Sequence, residues 1–398
     1  MNKYHLSLTI IFIIIFTGCK NKTSESNNYI FIDVMKEYPQ KELALQDIFD
    51  IEYIQLETTD EFMTTGNVRA IGEKLIITKN NGRTDGNIFL FDRTTGKGIR
   101  KINRIGQGSE EYTNILEIVL DEERQEIFIN NHYSGKIIVY DLEGNFKRSF
   151  KQRENYFYDE IGIFDKDRLI CHDGYLSFDK EETKRNFFML VSKQDGSIEE
   201  LAIPYDQLKT ELIIKQVDGK PRDWSVRNRQ LIPHKDGWLL TDLSADTIYR
   251  SSPDMKLKPF IVRIPSVQSM DPEIFLFPNV LTDRYCFMQT VKKDFDFKTD
   301  TDLERTDLMY DKETNKIHEI TLYNSDYLEK VSVKIMFEIS TLSFFNNEGA
   351  VFSKSLPAHE LVDAYKEGKL RGPLKKIASH LDEEDNPVIM IAKYKQRK

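Results

Sequence analysis

One pattern recurs along the chain and constrains its fold more than any other feature. An apolar run is followed by a short polar turn and a second run. It is seen in NIFLFDRTTGKGIRKI (87–102), KIIVYDLEGNFKRSF (136–150), NFFMLVSKQDGSIEELAI (186–203), DTIYRSSPDMKLKPFIV (246–262) and DLMYDKETNKIHEITLY (307–323). Aligned at Gly96, Gly144, Gly196, Met255 and Asn315, the copies are spaced by 48, 52, 59 and 60 residues. Glycine or asparagine at most of these turns suits hairpins whose tips need positive φ. Ahead of the copies lie further apolar pairs, at 116–131, 160–173, 230–243, 279–291 and 340–354. Four short antiparallel strands in roughly 50 residues are the signature of a β-propeller blade. Helical repeats would show a 3.6-residue period, whereas these runs alternate or are solidly apolar.

The expected architecture is therefore all-β, a six-bladed β-propeller. Five blades fit between residues 66 and 323, 340–354 supplies two strands of a sixth, and 387–394 a third. The missing strand is expected from the other end of the chain, at IEYIQLE (51–57). An N-terminal strand in that place closes the ring and removes its open edge. A seventh blade would have to occupy 204–229, which lacks the hairpin pattern. The first and third turns of a blade lie on one face of a propeller and the remaining connections on the other. Here the former are short, and the long segments 104–115, 173–185, 204–229, 265–278, 292–306, 324–338 and 355–386 all belong to the second set. This asymmetry predicts one elaborated face, where a rigid scaffold carries its binding loops. Segment 355–386 reads as a small helical insertion in the last blade. Leu361, Val362, Tyr365 and Leu370, and after Pro373 also Leu374, Ile377, Ala378 and Leu381, make stripes expected to pack onto the propeller.

The N-terminus reads as an address. Residues 1–19 (MNKYHLSLTIIFIIIFTGC) combine Lys3 with an apolar stretch from Leu6 to Phe16. That stretch is too short to span about 30 Å of hydrocarbon and has the length of a signal-peptide core. Thr17-Gly18-Cys19 resembles the lipobox of bacterial lipoproteins, with Phe16 where leucine is usual. The resemblance implies a signal peptide over 1–18, lipidation at Cys19, and a membrane-anchored protein of the bacterial cell envelope. Residues 19–28 are expected to be a flexible tether and 29–398 the propeller. The residues after Cys19 hold no acidic cluster, so a periplasm-facing placement is expected. Net charge is −9 without a basic stripe, which argues against nucleic acid. Cys171 and Cys286 are expected to be buried free thiols.

Chemistry leaves little trace. The seven histidines show no metal-ligand spacing, so no metal or cofactor is expected, and His132, His172, His234, His318, His359 and His380 each read as structural or exposed. The acids of 292–306 lack the glycine and distal glutamate of an EF-hand loop. There is no nucleophile elbow or phosphate loop, and Gly106-Gln-Gly108 reads as a turn. What remains is binding-type composition on the elaborated face: Trp224, Arg227 and Arg229 in one long loop, with His132, Tyr133 and Tyr112 in neighbouring ones. Aromatic and arginine side chains supply contact area and directed hydrogen bonds.

RIGQGSEEY (104–112), IEYIQLETTDEF (51–62) and EEDNPVIMIAKY (383–394) resemble motifs of the six-bladed, NHL-like propeller lipoproteins of Bacteroidetes. The resemblance spans residues 29–398 and implies that Tyr112 anchors its loop. Ser109-Glu110 stand where that family commonly has Pro-Gly. Together these features lead to the expectation of a non-catalytic envelope protein that binds a small ligand or a protein partner. A lactonase- or lyase-like enzyme with an axial metal, and an accessory subunit of an outer-membrane uptake complex, are the alternatives.

Overall fold

The apolar runs of the repeat become strands, and the aligned turns share one backbone conformation. Gly96, Gly144, Gly196, Met255 and Asn315 all have positive φ, between 54° and 83°. The computed structural model describes residues 29–395 apart from 83–84, 175–184, 227, 235–236, 253, 300, 302, 335–343 and 346–349. Cys19 with the rest of 1–28, and Arg227, lie outside the described residues.

Six blades form a propeller. Blade 1 comprises Asn67–Ile71, Leu75–Lys79, Asn87–Asp92 and Gly98–Asn103. Blade 2 comprises Glu117–Asp121, Glu126–Asn131, Lys136–Asp141 and Phe146–Lys151, and blade 3 Tyr158–Ile163, Arg168–Asp173, Phe188–Ser192 and Ile198–Leu201. Blade 4 is built from Leu231–His234, Gly237–Leu240, Thr247–Ser251 and Leu257–Ile264. Blade 5 is built from Ile274–Leu281, Tyr285–Lys292, Arg305–Asp311 and Lys316–Tyr323. In blade 6, Ala350–Leu356 pairs with Val388–Tyr394, and the N-terminal strand Phe49–Gln55 pairs antiparallel with the latter, Ile54 opposite Ile389.

Two more N-terminal strands lie on the rim. Ile30–Asp33 runs parallel to the outer strand of blade 4, and Gln40–Ala44 parallel to the outer strand of blade 5. The segment from residue 30 to residue 55 thus covers the edges of blades 4 and 5 before it completes blade 6. Each covered edge loses a row of unpaired backbone groups.

The core is a set of apolar layers between adjacent blades. Ile77, Leu90, Ile118, Ile129 and Tyr140 fill the layer between blades 1 and 2. Ile54, Leu56, Ile389 and Ile391 meet Val68, Ile76, Phe89 and Phe91 between blades 6 and 1, so the ring closes through burial as well as pairing. Tyr112 is fully buried beside the first of these layers, and its hydroxyl donates to the Gly86 carbonyl at 2.6 Å and accepts from the Arg104 N–H at 2.9 Å. Those contacts pin the 104–112 loop. The free thiols Cys171 and Cys286 are both buried.

Within 355–386, helices form at Ala358–Lys366 and Gly372–Ala378. Leu361, Val362, Leu370, Leu374, Ala378 and Leu381 are buried in the layer between blades 5 and 6, while Tyr365 stays 37% exposed. The apolar stripe is consumed by the propeller. Leu361 and Leu381 are therefore not surface groups available to a partner.

The 204–229 connection differs from its sequence reading. It carries a two-stranded hairpin, Leu212–Val217 with Lys220–Ser225, which is not a blade. Its strands are mostly exposed, so no apolar alternation marks them. Asp218-Gly219 at its tip has positive φ at both positions, the signature of a tight hairpin turn.

Candidate functional site: a polar cleft between blades 3 and 4

Buried charge collects along the first strands, which pack against one another around the axis. Arg69 of blade 1 lies 3.4 Å from Glu117 of blade 2, and Arg229, just before blade 4, approaches the same carboxylate at 3.9 Å. Both Glu160 oxygens in blade 3 accept backbone N–H groups, from Gln230 and Leu231, each at 2.9 Å. These contacts tie the inner edges of blades 3 and 4 together.

Beside this network a cleft opens between blades 3 and 4. Asp159, His172, Asp173 and Arg185 line it from blade 3 and its loops, Gln230 and Asp242 from blade 4, and residues 208–211 from the long connection between them. The two ends of one long connection, at Asp173, Gly174 and Arg185, and residues 208–211 of another thus border one cavity. Its floor is polar and buried: His172 is 2% exposed, Asp173 0% and Asp242 3%. Both lining bases are held by carboxylates, Arg185 by Asp173 at 2.5 Å and Lys209 by Glu273 at 3.0 Å. Arg185 also lies over the Tyr156 ring at 4.4 Å.

The hairpin of blade 3 creates the central constellation. Glu160 and His172 are cross-strand partners, and a register shift beside Asp159 brings that residue alongside. The Nδ1 of His172 lies 2.8 Å from the Oδ1 of Asp159. Burial opposes charge on His172, but Asp159 beside it, with Glu160 and Asp173, outweighs burial and lifts its pKa to about 9. Burial pushes Glu160 up to about 7 against the pull of Arg229, and pushes Asp242 up to about 6.

These shifts fix a pH dependence. A histidine whose folded pKa exceeds its unfolded value contributes stability that is complete below about 6.5 and lost as pH rises through about 9. Carboxyls with raised folded pKa values also favour the folded state less as they ionise, so Glu160 and Asp242 act in the same direction between about pH 4 and 7. Thermal unfolding followed from pH 5 to 9 should show a steady loss of stability. On the order of 2–3 kcal/mol of it should fall above pH 6.5. His172→Gln should flatten that alkaline limb, and an unchanged limb in the variant would count against the assignment.

The residues singled out from sequence sit elsewhere. Trp224 stands on the 212–225 hairpin, 43% exposed, with its ring flat against Phe295 at 4.5 Å. His132 occupies a short 3-10 turn against Phe157 at 4.2 Å, and burial lowers its pKa. Tyr133 beside it is 65% exposed. Tyr112 is enclosed and its hydroxyl is engaged. Arg229 is buried in the axial network, adjoining the cleft through its neighbour Gln230. None of these five lines the cleft.

A family described as a domain of unknown function, DUF4934, matches residues 29–393. The chain belongs to this DUF4934 family. No curated protein matches it. Among solved structures, the chain is similar to a protein of Bacteroides fragilis NCTC 9343 described as exported, with 14% identity and a TM-score of 0.61, over 92% of this chain and 100% of that one. It is also similar to a DUF4221-family member from Bacteroides vulgatus ATCC 8482, with 9% identity and a TM-score of 0.45, over 87% and 97% of the two chains. At 14% identity the likeness to the Bacteroides fragilis protein shows the fold alone. Among the described residues of this DUF4934 propeller, no helix is long and apolar enough to cross a membrane.

Proposed function

We propose that the chain is a lipid-anchored protein of the bacterial envelope that binds a small polar ligand, without covalent chemistry, in the cleft between blades 3 and 4. One observation carries this reading: the ends of one long connection and residues 208–211 of another border a cavity whose floor is built from buried ionisable side chains. Burying such groups is costly unless they are paired, and sites that do so are often functional. The lining carboxylates and the prior engagement of Arg185 and Lys209 favour a ligand with cationic or hydrogen-bond-donor groups. The Thr17-Gly18-Cys19 sequence supports anchoring at Cys19.

The test is purification of the full chain from its native membranes in mild detergent, followed by mass spectrometry of what it carries. The wild type should be in the membrane fraction and hold a small molecule at about one per chain. Cys19→Ser should move the protein to the soluble fraction. Thr210→Trp, placed at the cleft, should empty it while the protein stays folded. Equal retention in Thr210→Trp, or a preparation that carries nothing, would contradict the assignment.

A further inference from the structure

We propose that the rim of blade 4, at Phe31, Met35 and Ile264, is the surface with which the propeller rests on the lipid bilayer; the proposal rests on reading Cys19 as the lipid anchor. The rim strand Ile30–Asp33 has two unlike faces. Ile30 and Ile32, with Val34 just beyond them, are buried against residues of blade 5 such as Leu276 and Met288. Phe31 points to the other side, as the pleat requires, and is 56% exposed. Its parallel partner is Val262, and two residues further along Asp33 lies opposite Ile264, which is 45% exposed. The turn after the strand brings Met35, 61% exposed, to the same corner, where the Val34 N–H donates to the Ile264 carbonyl at 2.8 Å.

Exposed apolar side chains that stand singly are ordinary, but a group of large ones at one corner marks an interaction surface. A strand with one face in water normally carries polar side chains on that face. Here Phe31 and Ile264 occupy it, and Pro265 is exposed beside them. Asp33, Lys36 and Glu37 leave the corner without an excess of positive charge, so the contact is apolar rather than a basic patch on anionic headgroups.

The length of chain ahead of this corner selects the bilayer as what covers it. Residues 20–28 join Cys19 to Tyr29, the residue before the rim strand. A segment of that length reaches at most about 35 Å when fully extended, and averages roughly 17 Å as a flexible coil. An acyl chain on Cys19 therefore holds this corner next to the membrane, while blade 1, across the six-bladed ring, stands farther off. Apolar side chains that enter the headgroup boundary add to such an anchor in proportion to the area they bury.

The experiment uses the full lipidated chain with one added cysteine, Phe31→Cys, Met35→Cys or Ile264→Cys, labelled with the fluorophore NBD. Cys171 and Cys286 are buried and do not compete for the label. Ile99→Cys is the control, a comparably open position, 49% exposed, on the outer strand of blade 1. Each protein is reconstituted into vesicles of phosphatidylethanolamine and phosphatidylglycerol, with and without a doxyl-labelled lipid. The labels at 31, 35 and 264 should be quenched at least about twice as strongly as the label at 99. Phe31→Ser/Met35→Ser, with native circular dichroism, should bring the label at 264 down to the control. Equal quenching at all positions, or quenching at 264 that the folded double variant leaves unchanged, would overturn the proposal. The anchor is read separately from the mass of the N-terminal peptide. An unlipidated Cys19 would remove the anchor and this contact together, whereas a lipidated chain whose labels match the control would keep the anchor and remove the contact alone.

Discussion

Deleting residues 49–55 should abolish the folded propeller. The strand they form is the outer strand of blade 6, in register with Val388–Tyr394 over seven residue pairs. Without it that strand becomes an open edge, and the layer between blades 6 and 1 loses Ile54. Phe49, 1% exposed and in edge-on contact with Phe352, leaves the layer between blades 5 and 6 at the same time. Burial of each such side chain contributes about 1.5–3 kcal/mol, and the lost strand hydrogen bonds add to this. The sum is comparable with the whole stability of a typical domain, about 5–15 kcal/mol. Size-exclusion chromatography should show aggregation, and circular dichroism should show no cooperative melt. A circular permutant with 49–55 joined after the last strand should recover both. A deletion variant that stays monomeric and melts cooperatively near the wild-type temperature would mean that the ring does not depend on this closure.

Lys193→Met should be the most damaging single substitution outside the apolar layers. Lys193 follows the third strand of blade 3 and is 1% exposed. Its Nζ lies 2.7 Å from the Asp121 carboxylate of blade 2 and donates to the Asp165 carbonyl at 2.7 Å and the Lys166 carbonyl at 3.3 Å. Removing the ammonium leaves Asp121 buried without its cation, which costs about 3–5 kcal/mol. Differential scanning calorimetry should show Tm falling by roughly 4–6 °C. The double variant Lys193→Met/Asp121→Leu should regain most of that loss, because replacing a buried pair by apolar groups of similar size is often neutral. A single variant within about 1 °C of wild type would show that water reaches the pair and screens it.

The parts of the fold legible in the sequence are those that repeat locally. The hairpins at 87–102, 136–150, 186–203, 246–262 and 307–323 are strand pairs in the structure, and all five aligned turn residues have positive φ. Met255 shares that backbone although neither glycine nor asparagine occupies the position. The rim strands were hidden because parallel pairing with a strand more than two hundred residues away leaves no local sign. The 212–225 hairpin was hidden because only Ile213, Val217 and Trp224 pack against the rest of the chain while most of its residues meet solvent, although Asp218-Gly219 could have betrayed it.

The site was less legible for a related reason. Trp224 and Tyr133 were singled out by residue type, yet composition does not say which loops meet. The cleft arises from register inside blade 3 and from the approach of residues 208–211 to it. Once 160–173 is written as a hairpin, Glu160 and His172 fall opposite each other, so this much was available from the sequence. The proximity of Gln230 and Asp242 was not, because it depends on how blade 4 packs against blade 3.

The central claim is that this cleft, not the exposed aromatic residues of the outer loops, is where the protein binds. A crystal structure of the full chain purified from its native envelope tests it most directly. The account predicts ordered non-protein density within hydrogen-bond reach of Asp159, Gln230 or Asp242. A cleft holding only water, with a ligand instead seated against Trp224 or Tyr133, would contradict it.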